Sequence, residues 1–211
     1  MATYARDTYS AGTGWRGALS SHNPEQGGPI VSHPTAGGLF YLVNNRAVCR
    51  SADSGKGVMY YSGPPASADY TVQADITIFS ATGAVGIVGR CNTTASTFYY
   101  TYIHNNNGEL VLAKMVGGAI TSLDTFNSPG FFEAGSTYTV ELIMVGTSIT
   151  VDVDGVNRCS ATDSAITAAG RGGIRGINIS DTSTGKHIDN FAVTDASVAA
   201  TGRSYAVLVG L

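Results

Sequence analysis

The 211-residue sequence contains little charge: 13% of its residues are Asp, Glu, Lys or Arg, and the formal net charge is −3. A helical protein needs a polar, largely charged outer face on each helix, so this scarcity disfavours a helical fold. A nucleic-acid-binding protein carries a concentrated basic surface, whereas the densest basic stretch here spreads Arg158, Arg171 and Arg175 over eighteen positions. We interpret these as scattered surface arginines and expect no nucleic-acid partner.

Cysteine is also scarce: the chain has three, Cys49, Cys91 and Cys159, with no CxxC spacing. An odd number without paired spacing argues against a secreted disulfide framework, so we expect three free thiols. The first residues lack the apolar core of a signal peptide, and no segment is long and apolar enough to span a bilayer. These absences predict synthesis in a reducing cytoplasm and no membrane partner.

Motifs for catalysis and metal binding are missing as well. A glycosidase needs two carboxylates that flank the scissile bond. The nearest pair, Asp152 and Asp154, is better explained as a strand position and a turn residue before Gly155. The histidines are isolated, with no two at metal-ligand spacing: His22, His33, His104 and His187. We expect no catalytic residue and no cofactor.

Glycine and alternating apolar and polar residues are abundant instead, and they predict an all-β fold. In the first long strand, Tyr70–Ile78, every second residue is apolar and shares one face. Turn residues then separate nine further strands: Ala84–Cys91, Phe98–His104, Glu109–Val116, Ala119–Phe126, Thr137–Val145, Ser148–Asp154, Val156–Cys159, Gly172–Ile179 and His187–Val193. This spacing predicts an antiparallel β-sandwich of the jelly-roll type.

The two ends of the chain differ from this regular middle, although residues 1–211 read as one domain. A hairpin of Leu39–Val43 with Arg46–Arg50 and a strand Val58–Tyr61 follow an N-terminal leader, residues 1–38. Residues 10–38 are rich in Gly, Pro and Ser, and we expect an ordered loop that wraps the sheet edge.

The C-terminal tail, residues 196–211, ends in an uncharged strand-like segment. A free apolar strand is an aggregation hazard, so it must pair. It either folds beside Thr3–Tyr9 or adds to a neighbouring subunit by strand augmentation. The partner-contact candidates are Tyr205, Val207, Leu208, Val209 and Leu211.

Aromatic residues are concentrated in one strand. Phe98, Tyr100 and Tyr102 alternate onto one face, with Tyr99 and Ile103 on the other. If the first face is open, its rings are candidates for stacking on sugars, with the hydroxyls as orienting donors and acceptors. In the alternative interpretation both faces are covered, and these are ordinary strand-forming aromatics.

Particular segments resemble a known family. Ser67–Ile76 resembles the opening strand of concanavalin A-like, laminin-G-like sandwich domains, and Asp189–Val193 resembles their closing strand. The segment Ser21–Gly28, with Ser32-His33-Pro34 after it, resembles a leader that precedes such sandwiches in bacteriophage and bacterial surface proteins. An aromatic residue often follows the Gly-Gly pair there, where this chain has Pro29.

The resemblance covers about residues 6–195 and is specific for fold but not for function. It implies first a non-enzymatic virion structural protein, of the capsid decoration, cement, tail or fibre type, located on the virion surface. Its partners would be other virion proteins, further copies of itself, or a glycan of the host surface. The alternative is a carbohydrate-binding module that uses the aromatic face, and a glycoside hydrolase is a distant third. Because laminin-G-like domains often bind calcium, Asp152 and Asp181 are weak calcium candidates.

Overall fold

The computed structural model describes residues 2–10, 16–35, 40–49, 56–79, 83–104, 108–177 and 186–196. These residues form sixteen strands and one three-residue 3-10 helix, Leu19–Ser21. The first eight strands are β1 Thr3–Asp7, β2 Arg16–Ala18, β3 Ile30–Ser32, β4 Phe40–Val43, β5 Arg46–Cys49, β6 Lys56–Tyr61, β7 Tyr70–Thr77 and β8 Ala84–Gly89. The other eight are β9 Phe98–His104, β10 Glu109–Val116, β11 Ala119–Asn127, β12 Thr137–Val145, β13 Ser148–Val153, β14 Val156–Thr162, β15 Gly173–Ile177 and β16 His187–Asp195.

The strands build two antiparallel sheets that form a sandwich, as the sequence predicts. One sheet has nine strands in the order β14-β13-β12-β7-β16-β5-β4-β2, with β1 also paired to β16. The other has seven strands in the order β11-β10-β9-β8-β15-β6-β3. Within the described ranges, no helix has the length and apolar character that crossing a bilayer requires.

The main core lies between the two sheets and follows the period-two pattern of the sequence. In β7 and just after it, Tyr70, Val72, Ala74, Ile76 and Ile78 are all fully buried in this core. The three cysteines are buried and have free thiols. A second, smaller apolar cluster covers the outer face of the seven-stranded sheet, with Val58, Val88, Phe98 and Tyr100 among its members.

The leader supplies three strands, and two of them, β2 and β3, lie within residues 10–38, where the sequence predicts an ordered loop. β1 pairs with β16, β2 with β4, and β3 with β6. These are short pairings with distant parts of the chain, so no local alternation reveals them. Arg6 and Gln26 exchange two backbone hydrogen bonds of 3.1 Å, so the edge of β1 that faces away from β16 is occupied at that point. The tail residues 197–211, with all five partner-contact candidates, lie outside the described residues.

Candidate functional site

A cavity of about 330 Å³ opens at one end of the sandwich. Two loops form it: residues 90–97, which join β8 to β9, and residues 163–172, which join β14 to β15. Its volume is at the small end of the range for ligand pockets. The lining residues are Arg90, Cys91, Asn92, Thr93, Thr97, Ala165, Ile166, Thr167, Ala168, Gly170 and Arg171. We call this space the loop-end cavity.

Arg90 holds the wall of the loop-end cavity in place. Its side chain is 2% exposed, and its guanidinium donates to three backbone carbonyls: Ala68 at 3.0 Å, Ile166 at 2.8 Å and Gly146 at 2.9 Å. Arg90 also has a φ of 46°, and β8 ends at Gly89, two residues before the predicted strand end at Cys91. A buried charge is tolerated when its donors are satisfied, and here the same bonds fix three segments of backbone.

The loop of residues 163–172 is also held by side chains from the strands. The Tyr99 hydroxyl donates to Asp163 Oδ1 at 2.6 Å and accepts from the Ile166 amide at 3.2 Å. Lys114 pairs with the other carboxylate oxygen of Asp163. Burial acts to raise the pKa of Asp163, but the hydrogen bonds from Lys114 and Tyr99 outweigh it and lower that pKa. The Asp163 charge is therefore a fixed part of this loop.

The two loops are joined by a pair of backbone hydrogen bonds, and the residue before this pair has to be a glycine. Cys91 and Arg171 exchange backbone hydrogen bonds of 3.0 and 2.9 Å. Gly170 precedes the ladder with a φ of +57°, and a Cβ there would lie 2.4 Å from the carbonyl carbon of Arg90. Only glycine combines this left-handed backbone with such a close approach.

Asn92 holds the loop of residues 90–97 in a tight turn through its side chain and its backbone. Its side-chain oxygen accepts hydrogen bonds from the amides of Thr94 at 2.8 Å and Ala95 at 2.9 Å. The backbone amide of Asn92 donates to the Thr97 carbonyl at 2.9 Å. Such an Asx turn holds a short loop rigidly, so both loops around the cavity are formed before any ligand arrives.

Several polar groups of the lining remain available. Among the described residues, the hydroxyls of Thr93 and Thr167 take part in no hydrogen bond. Arg171 uses Nε on the Ser62 carbonyl at 2.9 Å and Nη1 on the Gly170 carbonyl at 3.0 Å. Its Nη2 makes no hydrogen bond within the described part of the chain. The cavity thus offers hydroxyls and oriented N–H donors.

Among the described lining residues there is no group suited to acid–base or nucleophilic chemistry, since none of them is Asp, Glu, His or Lys. Burial raises the pKa of the Cys91 thiol to about 12, so this sulfur is protonated at neutral pH and is a weak nucleophile. The described lining residues are therefore suited to binding a ligand by hydrogen bonds.

The aromatic strand has the predicted alternation, and two of the three rings on the candidate glycan face are buried. Tyr100 lies between Phe98 and Tyr102, with ring centroids 5.7 and 5.9 Å away, while Tyr99 joins the main core. Phe98 is 0% and Tyr100 2% exposed, and Tyr102 is half-buried. His33 packs edge-on against Phe98 at 6.2 Å, which helps to cover the face. Glycan binding by these three residues stays a prediction.

Arg175 corrects the interpretation of the basic residues as surface arginines. It is 0% exposed and lies over the rings of Tyr100 at 4.2 Å and Phe98 at 5.4 Å. None of its three side-chain nitrogen atoms has a hydrogen-bond partner among the described residues. Burial lowers its pKa. Residue 175 occurs on the face of β15 opposite to the main core, a placement that no local pattern identifies.

Asp152, a weak calcium candidate, lies on the outer face of the nine-stranded sheet. Asp152 stands opposite Glu141 and accepts from Asn157 Nδ2 at 2.9 Å. Burial and the Asp152 charge raise the pKa of Glu141. Asp154 has a φ of 51° and accepts from the Thr139 amide at 2.9 Å, which is the turn role that the sequence predicts.

No group of three or more His, Cys, Asp or Glu side chains in the described ranges could hold a metal ion. Asp181 lies outside those ranges. Calcium at Asp152 or Asp181 stays a prediction.

Sequence reasoning missed the loop-end cavity. The available signal was turn chemistry: an Asn two residues before a Thr, and a Gly before the Arg. That signal predicts ordered loops, but it does not show that loops about 75 residues apart meet.

Comparisons with known proteins support the fold. No protein-family model matches the chain, and no curated protein sequence matches it. Among solved structures, it is similar to the carbohydrate-binding module CBM66 from Bacillus subtilis, with a TM-score of 0.63 and 16% identity over 79% of this chain and 95% of that one. It is also similar to the exoplasmic/lumenal domain of VIP36 in its Ca2+/Man2-bound form, with a TM-score of 0.59 and 11% identity over 93% and 88% of the two chains.

Proposed function

We propose that the chain is a non-enzymatic carbohydrate-binding module and that the loop-end cavity is its sugar site. One observation carries the proposal: a preformed cavity whose described lining residues include Thr hydroxyls and arginines, and no acid–base pair. A sugar presents many hydroxyls that both donate and accept, so it matches such a lining. A charged catalytic pair is not needed for that match.

The rigidity of the cavity supports the same function. Binding is weakened by the entropy of ordering loops and side chains, and a preformed site avoids much of that loss. Here a hydrogen bond from Arg90 to the Ile166 carbonyl holds the loop of residues 163–172, and the Asn92 side chain holds the loop of residues 90–97. The ligand therefore meets walls that are already in place.

The similar solved structures agree with this proposal in kind. One is named a carbohydrate-binding module, and the other is a Ca2+/Man2-bound form. Their identities to this chain are low, so this support concerns the use of the fold and not the position of the site. The virion structural role, the virion-surface location and the virion-protein or self-partners stay predictions that rest on the leader resemblance alone.

The direct test is a glycan array followed by isothermal titration of the best ligand. In the variant Ala168→Phe, a ring fills the cavity without removing any hydrogen bond of its walls. We expect a loss of binding of at least about tenfold, since an occupied cavity excludes the ligand. The matched control is Ala134→Phe, which adds the same ring at an exposed position outside the cavity.

A third variant separates the cavity from the aromatic strand. Tyr102→Ala removes the most exposed ring of the strand and leaves the cavity unchanged. If Tyr102→Ala abolishes binding and Ala168→Phe does not, the sugar site is the aromatic face, and the cavity assignment is wrong. If no glycan binds the parent protein at millimolar concentration, the carbohydrate function itself is wrong.

A further inference from the structure

The loop-end cavity carries an unbalanced charge. Two cationic residues, Arg90 and Arg171, belong to its lining, and none of the lining residues that the structure describes is acidic, although the whole protein has a formal net charge of −3. Arg90 has its donors on backbone carbonyls and lies 3.6 Å from Asp69. Arg171 takes part in no ion pair within the described residues. The free positive charge of the cavity is therefore that of Arg171.

The guanidinium of Arg171 is also oriented. The bonds from Nε to Ser62 and from Nη1 to Gly170 restrict the plane of the group. The two N–H groups of Nη2 make no hydrogen bond within the described part of the chain. Holding a planar guanidinium in this way reduces the entropy lost when it binds an anion.

From this geometry we infer that the cavity prefers sugars that carry a carboxylate, such as uronic acids, and that Arg171 is the residue that pairs with it. This inference rests on the proposed carbohydrate function. A hydrogen bond between charged groups is roughly twice as strong as a neutral one, and no lining residue in the described part of the chain carries a carboxylate that would repel the ligand. The hydroxyls of Thr93 and Thr167 then remain for the hydroxyls of the sugar ring.

The experiment compares two probes that differ at one carbon: an oligosaccharide ending in glucuronic acid and its counterpart ending in glucose. In isothermal titration with the intact chain, we expect the acidic probe to bind about tenfold tighter or more. Raising the salt concentration should reduce that preference, because the added interaction is between charges. A sulfated sugar and free acetate serve as further probes for the source of the negative charge.

Two variants test the role of Arg171. Arg171→Gln should bring the two probes to equal affinity, whereas Arg158→Gln, which removes a guanidinium near Phe126 and Phe131 outside the cavity, should leave the preference intact. Because Arg171 also bonds Ser62, a thermal melt checks that its variant folds. Thr167→Glu provides a second route, because it adds a carboxylate at the cavity and keeps Arg171. It is compared with Thr167→Gln, which loses the same hydroxyl, and relative to that variant it should lower the affinity for the acidic probe only.

The outcomes separate the inference from the proposed function. Equal binding of both probes by the parent protein, lost in Ala168→Phe, would overturn the acidic preference and keep the sugar site. An acidic preference that survives both Arg171→Gln and Thr167→Glu would show that another cation supplies it and would overturn the role of Arg171. Tighter binding of the sulfated probe than of the glucuronic acid probe would overturn the choice of carboxylate. Binding of neither neutral nor acidic sugar overturns both proposals.

Discussion

Two buried arginines, one on each side of the seven-stranded sheet, show how differently one residue type acts in this protein. Arg90 is 2% exposed and donates to the carbonyls of Ala68, Gly146 and Ile166. Arg175 is 0% exposed, lies against the rings of Phe98 and Tyr100, and has no hydrogen-bond partner among the described residues. The two arginines are almost equally buried, but only the Arg90 guanidinium has hydrogen-bond partners among the described residues.

The difference lies in what each arginine leaves behind when it is removed. Without Arg90, three backbone carbonyls at the cavity end lose their donor, and an unpaired buried carbonyl is destabilising. Without Arg175, no described polar group loses a partner, and an uncompensated buried charge disappears. Ring contacts recover part of the desolvation of Arg175 through cation–π attraction. Arg90 therefore organises a site, whereas Arg175 fills space between rings.

The largest effect is expected for Arg90→Met. It should lower the free energy of unfolding by about 3–5 kcal/mol, the range for breaking a buried charged network, and should also weaken sugar binding. Urea unfolding measures the first effect. Arg6→Met, at an exposed position, is the control and should change stability by less than about 0.5 kcal/mol. A loss of under 1 kcal/mol for Arg90→Met would remove the contrast between the two arginines.

Lys186 is a third buried cation and an intermediate case, with Nζ donating to the Gly83 carbonyl at 2.7 Å. Burial lowers its pKa from 10.5 to about 8. Between these values the unfolded chain holds a proton that the folded chain lacks, so this residue adds stability as the pH rises. Relative to Lys186→Met, the parent should gain about 2 kcal/mol between pH 8 and 9.5.

The comparison with Lys186→Met is needed because other groups act in the opposite direction. Burial raises the pKa of Cys49 and Cys91 to about 12, so thiol ionisation favours the unfolded chain at high pH. Both proteins share that contribution, and it cancels in the difference between their unfolding curves. A difference that does not change with pH would mean that Lys186 keeps an ordinary pKa.

A smaller effect is expected for Arg175→Met, which replaces the guanidinium by an apolar side chain of adaptable shape. Stability should change by less than about 1 kcal/mol, or increase, because no described hydrogen bond is lost. Guanidinium chloride unfolding provides the measurement. A loss as large as that of Arg90→Met would show that Arg175 has a strong partner, and Asp53→Asn and Asp181→Asn would then identify whether a carboxylate outside the described residues supplies it.

The smallest effect is expected for Asp152→Asn on the open face of the nine-stranded sheet. Here solvent reaches the carboxylate, and stability should change by no more than about 0.5 kcal/mol. The pKa of Glu141 should fall toward its usual value because a neighbouring negative charge is removed. NMR titration of Glu141 follows this shift. Hydrolysis of a β-glucan by the parent that disappears in this variant would contradict the non-enzymatic proposal.

The sandwich itself could be predicted because its evidence is local. Alternation in Tyr70–Thr77 places Val72 and Ile76 in the core, and the turn at Asp154 forms where the sequence indicates. The three strands of the leader could not be predicted, because each pairs with a segment far along the chain. Arg175 was misjudged for a related reason: its burial depends on what covers the outer sheet face, which alternation does not record.

The pairing of β1 with β16 also determines how the protein responds to mechanical force. The Ala2 amide donates to the Asp195 carboxylate, and the Ala196 amide donates to the Asp69 carbonyl at 3.5 Å. Both ends of the described chain therefore leave the sandwich on the side of the loop-end cavity. Tension between these ends would open the β1–β16 pair from Thr3 and Thr194 inward, so its hydrogen bonds would break one after another and not all at once. A load applied through both ends would peel β1 away while the loops around the cavity, held by Arg90 and Tyr99, stay closed.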